Sequence, residues 1–256
     1  MAIEPDSVGR YELAGFFNLR EGGGMPAGEG RIRLGRLLRS DFPSAVNSEA
    51  NGFFRELPLA AVVDLRDLDE AKASAHLFQD AGFEVIERPI FTGSVASMAT
   101  GVPSIEQLYT TMVQRFAPQV ASAVGDVADA IGSGAVLVHC WAGKVRTGVV
   151  IGLVQSLLGV RDDDVVASYA RTQANLSGKW LQTMRARLKE LAIHNPQFAG
   201  VDEDEIEPLL VGSPPEAIQS MLDRVREASG SVEGFLLDNG LTAQQAGKLR
   251  SDLLER

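Results

Sequence analysis

The segment from Ala135 to Gly148 constrains the chain more than any other stretch. Residues 135–138 form an apolar run that predicts a buried strand, and a second apolar run after the loop predicts a long helix. Between the two runs, Cys140 and Arg146 are separated by five residues, in a loop that contains Gly143. Such a loop aims several backbone N–H groups, and the positive end of the helix, at one point. The sequence therefore predicts a site for a phosphate-sized anion with a thiol beneath it.

Cys140 and Arg146 supply two side chains suited to phosphoryl transfer. Backbone N–H groups and nearby cations favour a thiolate, so we expect the pKa of Cys140 to lie below that of a free thiol. The thiolate is the competent nucleophile, and a planar guanidinium binds two phosphate oxygens at once. The expected product is a cysteinyl-phosphate intermediate that water hydrolyses in a second step. The scheme requires no metal ion and no other cofactor.

The residues around this pair have predicted supporting roles. Gly143 lets the backbone turn around the anion, Thr147 places a hydroxyl near the thiol, and His139 orients the loop by bonding backbone groups beneath it. Lys144 adds a second cation at the mouth, which suits a substrate with more than one phosphate. The predicted phosphate-binding residues are Trp141, Ala142, Gly143, Lys144, Val145 and Arg146.

The same residues also have plainer interpretations. A single cysteine after an apolar strand is most often a small buried hydrophobic residue, and a cysteine and an arginine at this spacing are weak evidence alone. Here the spacing coincides with His139, Gly143, Thr147 and the strand–loop–helix order, which favours catalysis or phosphate binding. His76 and His194 lie in predicted surface helices and are interpreted as ordinary.

Strands alternate with helices in the first part of the chain. The predicted strands are 31–38, 60–66, 83–90 and 135–138, the helices are 47–57, 69–81, 104–131 (opening on a capping box and interrupted at Pro118) and 147–159, and 92–103 is a loop. After residue 160 the pattern is helical throughout, at 162–172, 178–193, 203–211, 215–229, 231–238 and 242–255. This order predicts an α/β fold with a helical C-terminal extension. We expect a single domain over 1–256, with the α/β core to about 160 and the extension from about 161.

Composition excludes some classes of function. With 256 residues, 45% of them hydrophobic, the chain is long enough for a substantial core, and it has no apolar run near 18 residues that would predict a membrane span. The net charge of −10 argues against nucleic-acid binding, whereas a few local cations suffice for an anionic substrate.

The first residues lack the basic and apolar regions of a secretory signal, and the single cysteine forbids an internal disulfide. We therefore expect a cytoplasmic location, with leaderless export left open.

The chain resembles the cysteine-dependent protein tyrosine phosphatase superfamily. More narrowly, it resembles the microbial tyrosine/serine phosphatase-like family with the signature H-C-x-x-G-K-D-R-T-G, some members of which also act on phosphoinositides. The signature corresponds to His139–Gly148. Further family motifs correspond to Asn18–Gly24, Gly35–Ser40, Asp64–Arg66 followed by Glu70, and Gly230–Ser231 through Gly240–Thr242 to Leu254.

The resemblance implies a phosphatase fold, with a parallel-rich sheet flanked by helices and further helices near the active site. It implies that Cys140 is the nucleophile, that Arg146 binds phosphate, and that Lys144 is the lysine linked to polyanionic substrates. The implied substrates are phosphotyrosine or other phosphorylated protein residues, with phosphoinositides as a further class.

The chain departs from the family signature at Val145, where the family has aspartate. The leaving oxygen must still be protonated, a step worth roughly 10²–10⁴ in rate. Asp64 and Asp67, at the end of a predicted neighbouring strand, are the nearest candidates for the acid, and Asp41 is a weaker one. For both Asp64 and Asp67 the favoured alternative is a structural ion pair with Arg66 or Arg39.

Two other functions compete with a phosphatase. One is a non-catalytic phosphate-binding pseudophosphatase, against which the retention of both Cys140 and Arg146 counts. The other is sulfur transfer or arsenate reduction, the latter of which commonly needs further thiols that this chain lacks.

Overall fold

The computed structural model describes residues 3–72, 76–90, 103–194 and 203–255. The predicted loop at 92–103 lies outside the described residues except for its last position. Within the described ranges, no helix combines the length and apolar character that a bilayer crossing needs.

A five-stranded sheet forms the centre of the molecule. Its strands are β1 (Arg20–Glu21), β4 (Leu37–Ser40), β7 (Ala135–His139), β5 (Leu59–Asp64) and β6 (Val85–Glu87), in that spatial order. The last four are mutually parallel, and β1 pairs antiparallel with β4. β7 is central and buried at every residue, as its unbroken apolar run requires.

Helices cover both faces of this sheet. They are α1 (Ser48–Glu56), α2 (Leu68–Lys72), α3 (Leu77–Asp80), α4 (Ile105–Arg115), α5 (Ala117–Ala130), α6 (Val145–Leu157), α7 (Asp162–Leu176), α8 (Lys179–His194), α9 (Glu203–Val211), α10 (Pro215–Ser229), α11 (Val232–Asp238) and α12 (Ala243–Leu253). Alternate residues of β7 divide the core. Val136 and Val138 join the larger cluster with α4–α6 and α10–α12, whereas Leu137 joins the aromatic cluster of α1 and α3. The predicted α/β class, with a parallel-rich sheet flanked by helices, is confirmed.

The last described residues of the chain join a second, small sheet, which the helical pattern of the sequence does not predict. β2 (Pro26–Ala27), β3 (Gly30–Ile32) and β8 (Leu254–Glu255) form a three-stranded antiparallel sheet. The predicted helix at 242–255 therefore ends at Leu253, because the last residues pair with β3. The division of the chain near residue 160 stays a prediction.

Two other predicted elements are shorter than expected. The strand at 31–38 is interrupted by Gly35, whose φ of +68° turns the chain between β3 and β4. The helix predicted at 69–81 is two short helices, α2 and α3, on either side of residues outside the described ranges. The helix after the loop begins at Val145 rather than at about Thr147.

Candidate active site

The loop between β7 and α6 directs its carbonyl groups away from its own interior. Three carbonyl oxygens accept hydrogen bonds from neighbouring segments: Trp141 from the Phe42 N–H (2.9 Å), Ala142 from Asn18 Nδ2 (2.9 Å) and Gly143 from Arg39 Nη2 (2.8 Å). In a planar trans peptide the N–H of the next residue points opposite to the carbonyl. The N–H groups of residues 142–144 therefore point to the inner side of the loop, where an anion would be bound.

Asn18 is itself held by a buried polar network. Its side-chain oxygen accepts from Arg20 and from Asn175 Nδ2 (3.0 Å), and its backbone N–H donates to Asp41 at 2.8 Å. Burial raises the pKa of Asp41 to about 7, although the N–H groups of Asn18 and Phe17 oppose that rise. The Asp41 oxygens face these backbone groups, so Asp41 positions Asn18 rather than reaching a leaving group. The sequence places Asn18 in a family motif but does not predict that its side chain binds a carbonyl oxygen of the loop.

Gly143 adopts a conformation and a position that require glycine. Its φ is +62°, and a Cβ atom there would lie 2.2 Å from the Ser40 carbonyl oxygen and 2.4 Å from its carbon. We expect Gly143→Ala to lower the free energy of unfolding by roughly 3–5 kcal/mol, since both strain and backbone overlap must be relieved. Urea denaturation measures this loss, and phosphate release should fall with it.

Gly230 provides the matched control, because it has φ +74° and a Cβ atom placed there would meet no atom within 4 Å beyond its own chain neighbours. Gly230→Ala should cost only about 1 kcal/mol, with activity retained. Equal losses for the two substitutions would contradict close packing of the loop against β4.

Cys140 lies at the C-terminal end of the central strand and is buried, with 3% of its surface exposed. Burial alone would raise the pKa of its thiol. Arg146, the hydroxyl and N–H of Thr147 and the N–H of Lys144 outweigh burial, so the pKa is lowered from its ordinary value. Within the described residues the Thr147 hydroxyl has no other acceptor, which leaves it to the thiolate. This arrangement favours the nucleophilic form of Cys140.

Arg146 is oriented by a carboxylate from a distant segment. Its Nη1 and Nη2 atoms lie 2.5 Å and 3.0 Å from the two oxygens of Glu70, which also accepts the Asp67 N–H at 2.9 Å. Asp67 in turn accepts the N–H groups of residues 69 and 70, so it fixes the start of α2. Burial would lower the pKa of Arg146, but Glu70 and the charge of Cys140 raise it. The guanidinium therefore stays charged beside the thiol.

Asp64 was predicted as the acid, but it forms the structural ion pair with Arg66 that was the alternative interpretation. Its carboxylate is bound by Arg66 through Nε and Nη2, the latter at 2.6 Å, and its Oδ1 is 3.7 Å from His139 Nδ1. Burial would raise the pKa of Asp64, but His139 and Arg66 lower it below its ordinary value. A carboxyl group held in its ionised form is a poor proton donor.

His139 and Trp141 lie on either side of the thiol in sequence. Burial lowers the pKa of His139, and its Nδ1 lies 3.2 Å from the Cys140 carbonyl oxygen, a contact that supports its predicted orienting role. The Trp141 ring stacks on Phe42, and its Nε1 donates to Met184 Sδ at 3.3 Å. The indole is therefore packed between the loop and α8.

Lys144 is not the free cation at the mouth that its position in the sequence predicts. Its side chain is buried, and Nζ donates to the carbonyl oxygens of Leu209 and Gly212, at 2.5 Å and 2.8 Å. These carbonyls belong to the C-terminal end of α9, where the helix dipole favours a cation. The side chain therefore joins the loop to α9. No sequence pattern links the two segments, because the contact spans more than sixty residues.

The loop combines a buried thiol at the end of the central strand, N–H groups that point inward and a charged guanidinium at the helix start, which is the arrangement expected of a cysteine-dependent phosphatase. The sequence profile of the tyrosine phosphatase family matches residues 11–255. The chain belongs to this family, and it is a phosphatase.

The similarity to known proteins extends over most of the chain. A Cupriavidus necator protein, provisionally named a tyrosine-protein phosphatase, is 30% identical over 246 residues, covering 90% of this chain and 84% of the relative. The Mycobacterium tuberculosis triple specificity protein phosphatase PtpB is 25% identical, covering 95% and 98% respectively. The crystal structure of P. aeruginosa TpbA is 18% identical, with 73% and 95% covered and a TM-score of 0.35.

Proposed function

We propose that the protein hydrolyses phosphomonoesters through a cysteinyl-phosphate intermediate on Cys140. The observation that carries the proposal is the loop itself, in which the thiol lies beneath inward-pointing N–H groups and next to Arg146. The proposed substrates are phosphotyrosine or other phosphorylated protein residues, with phosphoinositides as a further class. The names of the relatives support the protein substrates.

In the first step, the Cys140 thiolate attacks phosphorus and the bond to the leaving oxygen breaks. Charge on the phosphoryl oxygens is stabilised by the N–H groups of residues 142–146 and by Arg146. Glu70 keeps the guanidinium oriented through both carboxylate oxygens. In the second step, water attacks the phosphocysteine, and Thr147 stabilises the departing thiolate.

The proton for the leaving oxygen does not come from position 145, since valine has none to give. The proposal that Asp64 supplies it is weakened by the Arg66 pair. We therefore expect the enzyme to favour aryl phosphates, whose leaving groups are acidic, over alkyl phosphates.

A rapid-mixing experiment with an activated aryl phosphate tests the intermediate. We expect a burst of about one equivalent of aryl alcohol per active site, followed by a slower steady rate, because thiol phosphorylation precedes hydrolysis. Acid quenching during the burst should leave one phosphoryl group on the peptide that contains Cys140. The proposed route would be wrong if turnover proceeded while the Cys140 peptide carried no phosphoryl group at any time point and a different peptide carried it.

A further inference from the structure

The peptide group between Gly143 and Lys144 makes contacts through both of its polar ends. Its carbonyl oxygen accepts hydrogen bonds from Arg39 Nη2 at 2.8 Å and from Asn18 Nδ2 at 3.2 Å. Its N–H, on the opposite side of the planar group, is directed at the Cys140 sulfur, whose thiolate it stabilises. One peptide group therefore connects a guanidinium outside the loop to the nucleophile inside it.

Arg39 lies beside the strand that carries the thiol, on the same face of the sheet. It belongs to β4 and is in register with Val138 of the parallel strand β7. Leu37, two residues before Arg39, packs in the same core cluster as Val138 and Cys140, so the Arg39 side chain leaves the sheet on the thiol side. The arginine is 1% exposed. The guanidinium thus lies against the loop in a place that water does not reach.

The charge of Arg39 has no carboxylate partner in the part of the chain that the structure describes. There, its hydrogen bond is the one to the Gly143 carbonyl, and its Nε atom has no acceptor. Its register partner on β1, Arg20, is a second buried guanidinium, which adds repulsion between like charges. A neutral amide suffices to bind this carbonyl, as Asn18 does. The cost of burying a cation is offset when it acts on an anion, and the thiolate lies at the other end of the peptide group.

We propose that Arg39 is a positioning residue for the nucleophile, which strengthens the Lys144 N–H as a donor to the Cys140 thiolate by binding the carbonyl of the same peptide group. The inference rests on the proposed function. A cation at a carbonyl oxygen polarises the peptide group and makes its N–H a stronger donor, and such coupling is larger where water is excluded. Arg39 acts through the peptide group and does not touch the substrate.

The ionisable groups that face Arg39 leave its charge in place near neutral pH. Burial lowers the pKa of Arg39 to about 10, and the charge of Cys140 is among those that oppose the shift, so the guanidinium keeps its proton. Tyr109 of α4 and Tyr169 of α7 also face Arg39. Burial raises the pKa of both phenols, so they stay neutral.

The thiol faces two further cations that a substitution at position 39 leaves in place. Arg146 of α6 is paired with Glu70, and the Lys144 side chain is bound to the end of α9, although the charge of Cys140 acts on both. Burial lowers the pKa of Lys144 to about 7, so it titrates over the same range as a perturbed thiol. The measurement must therefore detect the thiolate itself.

The ultraviolet absorbance of the thiolate provides that measurement, because Cys140 is the only cysteine of the chain and Cys140→Ser serves as the blank. The thiol pKa should rise by about one unit in Arg39→Met and in Arg39→Gln, since both remove the cation that strengthens the Lys144 N–H. The acidic limb of the kcat/KM profile with an activated aryl phosphate should move to higher pH by the same amount. Arg39→Lys keeps a cationic donor and should bring the thiol pKa to within about half a unit of wild type.

Two other variants separate this effect from support of the loop. Asn18→Ala removes the neutral donor from the same carbonyl and should shift the thiol pKa less than half as far as Arg39→Met. Arg36→Met breaks an arginine bond to the Ile131 carbonyl, just before β4, and should leave the thiol pKa unchanged.

An unchanged thiol pKa in both neutral variants at position 39, or an equal shift in Asn18→Ala, would overturn the proposal, because a purely structural contact predicts those results. The circular dichroism spectrum of each variant identifies the folded ones that enter the comparison. Failure of the proposed function has a different signature, which is wild-type activity in Cys140→Ser. The thiol pKa is measured without turnover, so the two failures are distinguishable.

Discussion

Cys140→Ser is expected to lower phosphate release by at least about 10³-fold on every phosphomonoester, aryl or alkyl. A serine hydroxyl at this position stays protonated, because the groups that lower the pKa of the thiol cannot bring that of an alcohol near neutrality. The substitution removes no carbonyl contact of the loop, so binding should persist. Steady-state release of phosphate from an activated aryl phosphate measures the first effect, and calorimetric titration with inorganic phosphate measures the second.

Cys140→Ala serves as the control, because it removes the side-chain nucleophile and keeps the backbone. Both variants should bind inorganic phosphate within a few-fold of wild type and show equally low turnover. Rates equal to wild type in Cys140→Ser would eliminate the covalent mechanism.

The central part of the site follows from local sequence. The apolar run of 135–138 predicts a strand, and Cys140 follows that run directly, so the prediction needs no information from distant residues. The structure confirms the order of strand, loop and helix. The capping box predicted at Ser104 is confirmed for the same reason, since its two hydrogen bonds join residues three apart. The Asp64–Arg66 pair joins residues two apart, so the sequence also predicts it, as the alternative to an acid.

Contacts between distant segments could not be predicted in this way. The Lys144 bond to the end of α9 and the Glu70 bond to Arg146 depend on how helices pack on the sheet, which hydrophobic periodicity does not specify. The pairing of Leu254–Glu255 with β3 overrides a helical pattern because the edge of the small sheet offers unpaired backbone groups. Asp41 has no local signature either, since its acceptors serve N–H groups more than twenty residues away.

The loop therefore depends on supports that belong to four different segments. Its carbonyls are bound by Asn18, Arg39 and the Phe42 N–H, and its side chains reach Glu70 and α9. Each support satisfies a polar group that would otherwise be buried without a partner, which costs about 1–3 kcal/mol. These contacts preorganise the N–H groups before substrate arrives, and preorganised donors stabilise developing charge most effectively.

Arg146→Lys is expected to lower kcat/KM by about 10²–10³-fold on aryl and alkyl phosphates alike. A lysine keeps the positive charge, but its single ammonium group cannot present two parallel donors to the phosphoryl oxygens or bind both oxygens of Glu70. The loss should be independent of the leaving group, because Arg146 acts on the transferred phosphoryl group. Steady-state kinetics with a series of aryl and alkyl phosphates measures both the size of the loss in kcat/KM and its uniformity across leaving groups.

Arg226 supplies a matched control, since it holds Asp162 through two bonds of 2.6 Å and lies on α10. Arg226→Lys breaks an equivalent bidentate pair and should leave kcat/KM within a few-fold of wild type. Glu70→Gln keeps an acceptor for Arg146 but removes the charge, and should cost about tenfold, because the guanidinium is less firmly oriented. Activity of Arg146→Lys close to that of wild type would mean that the backbone N–H groups alone bind the phosphoryl oxygens, and that the bidentate geometry fixed by Glu70 does not serve catalysis.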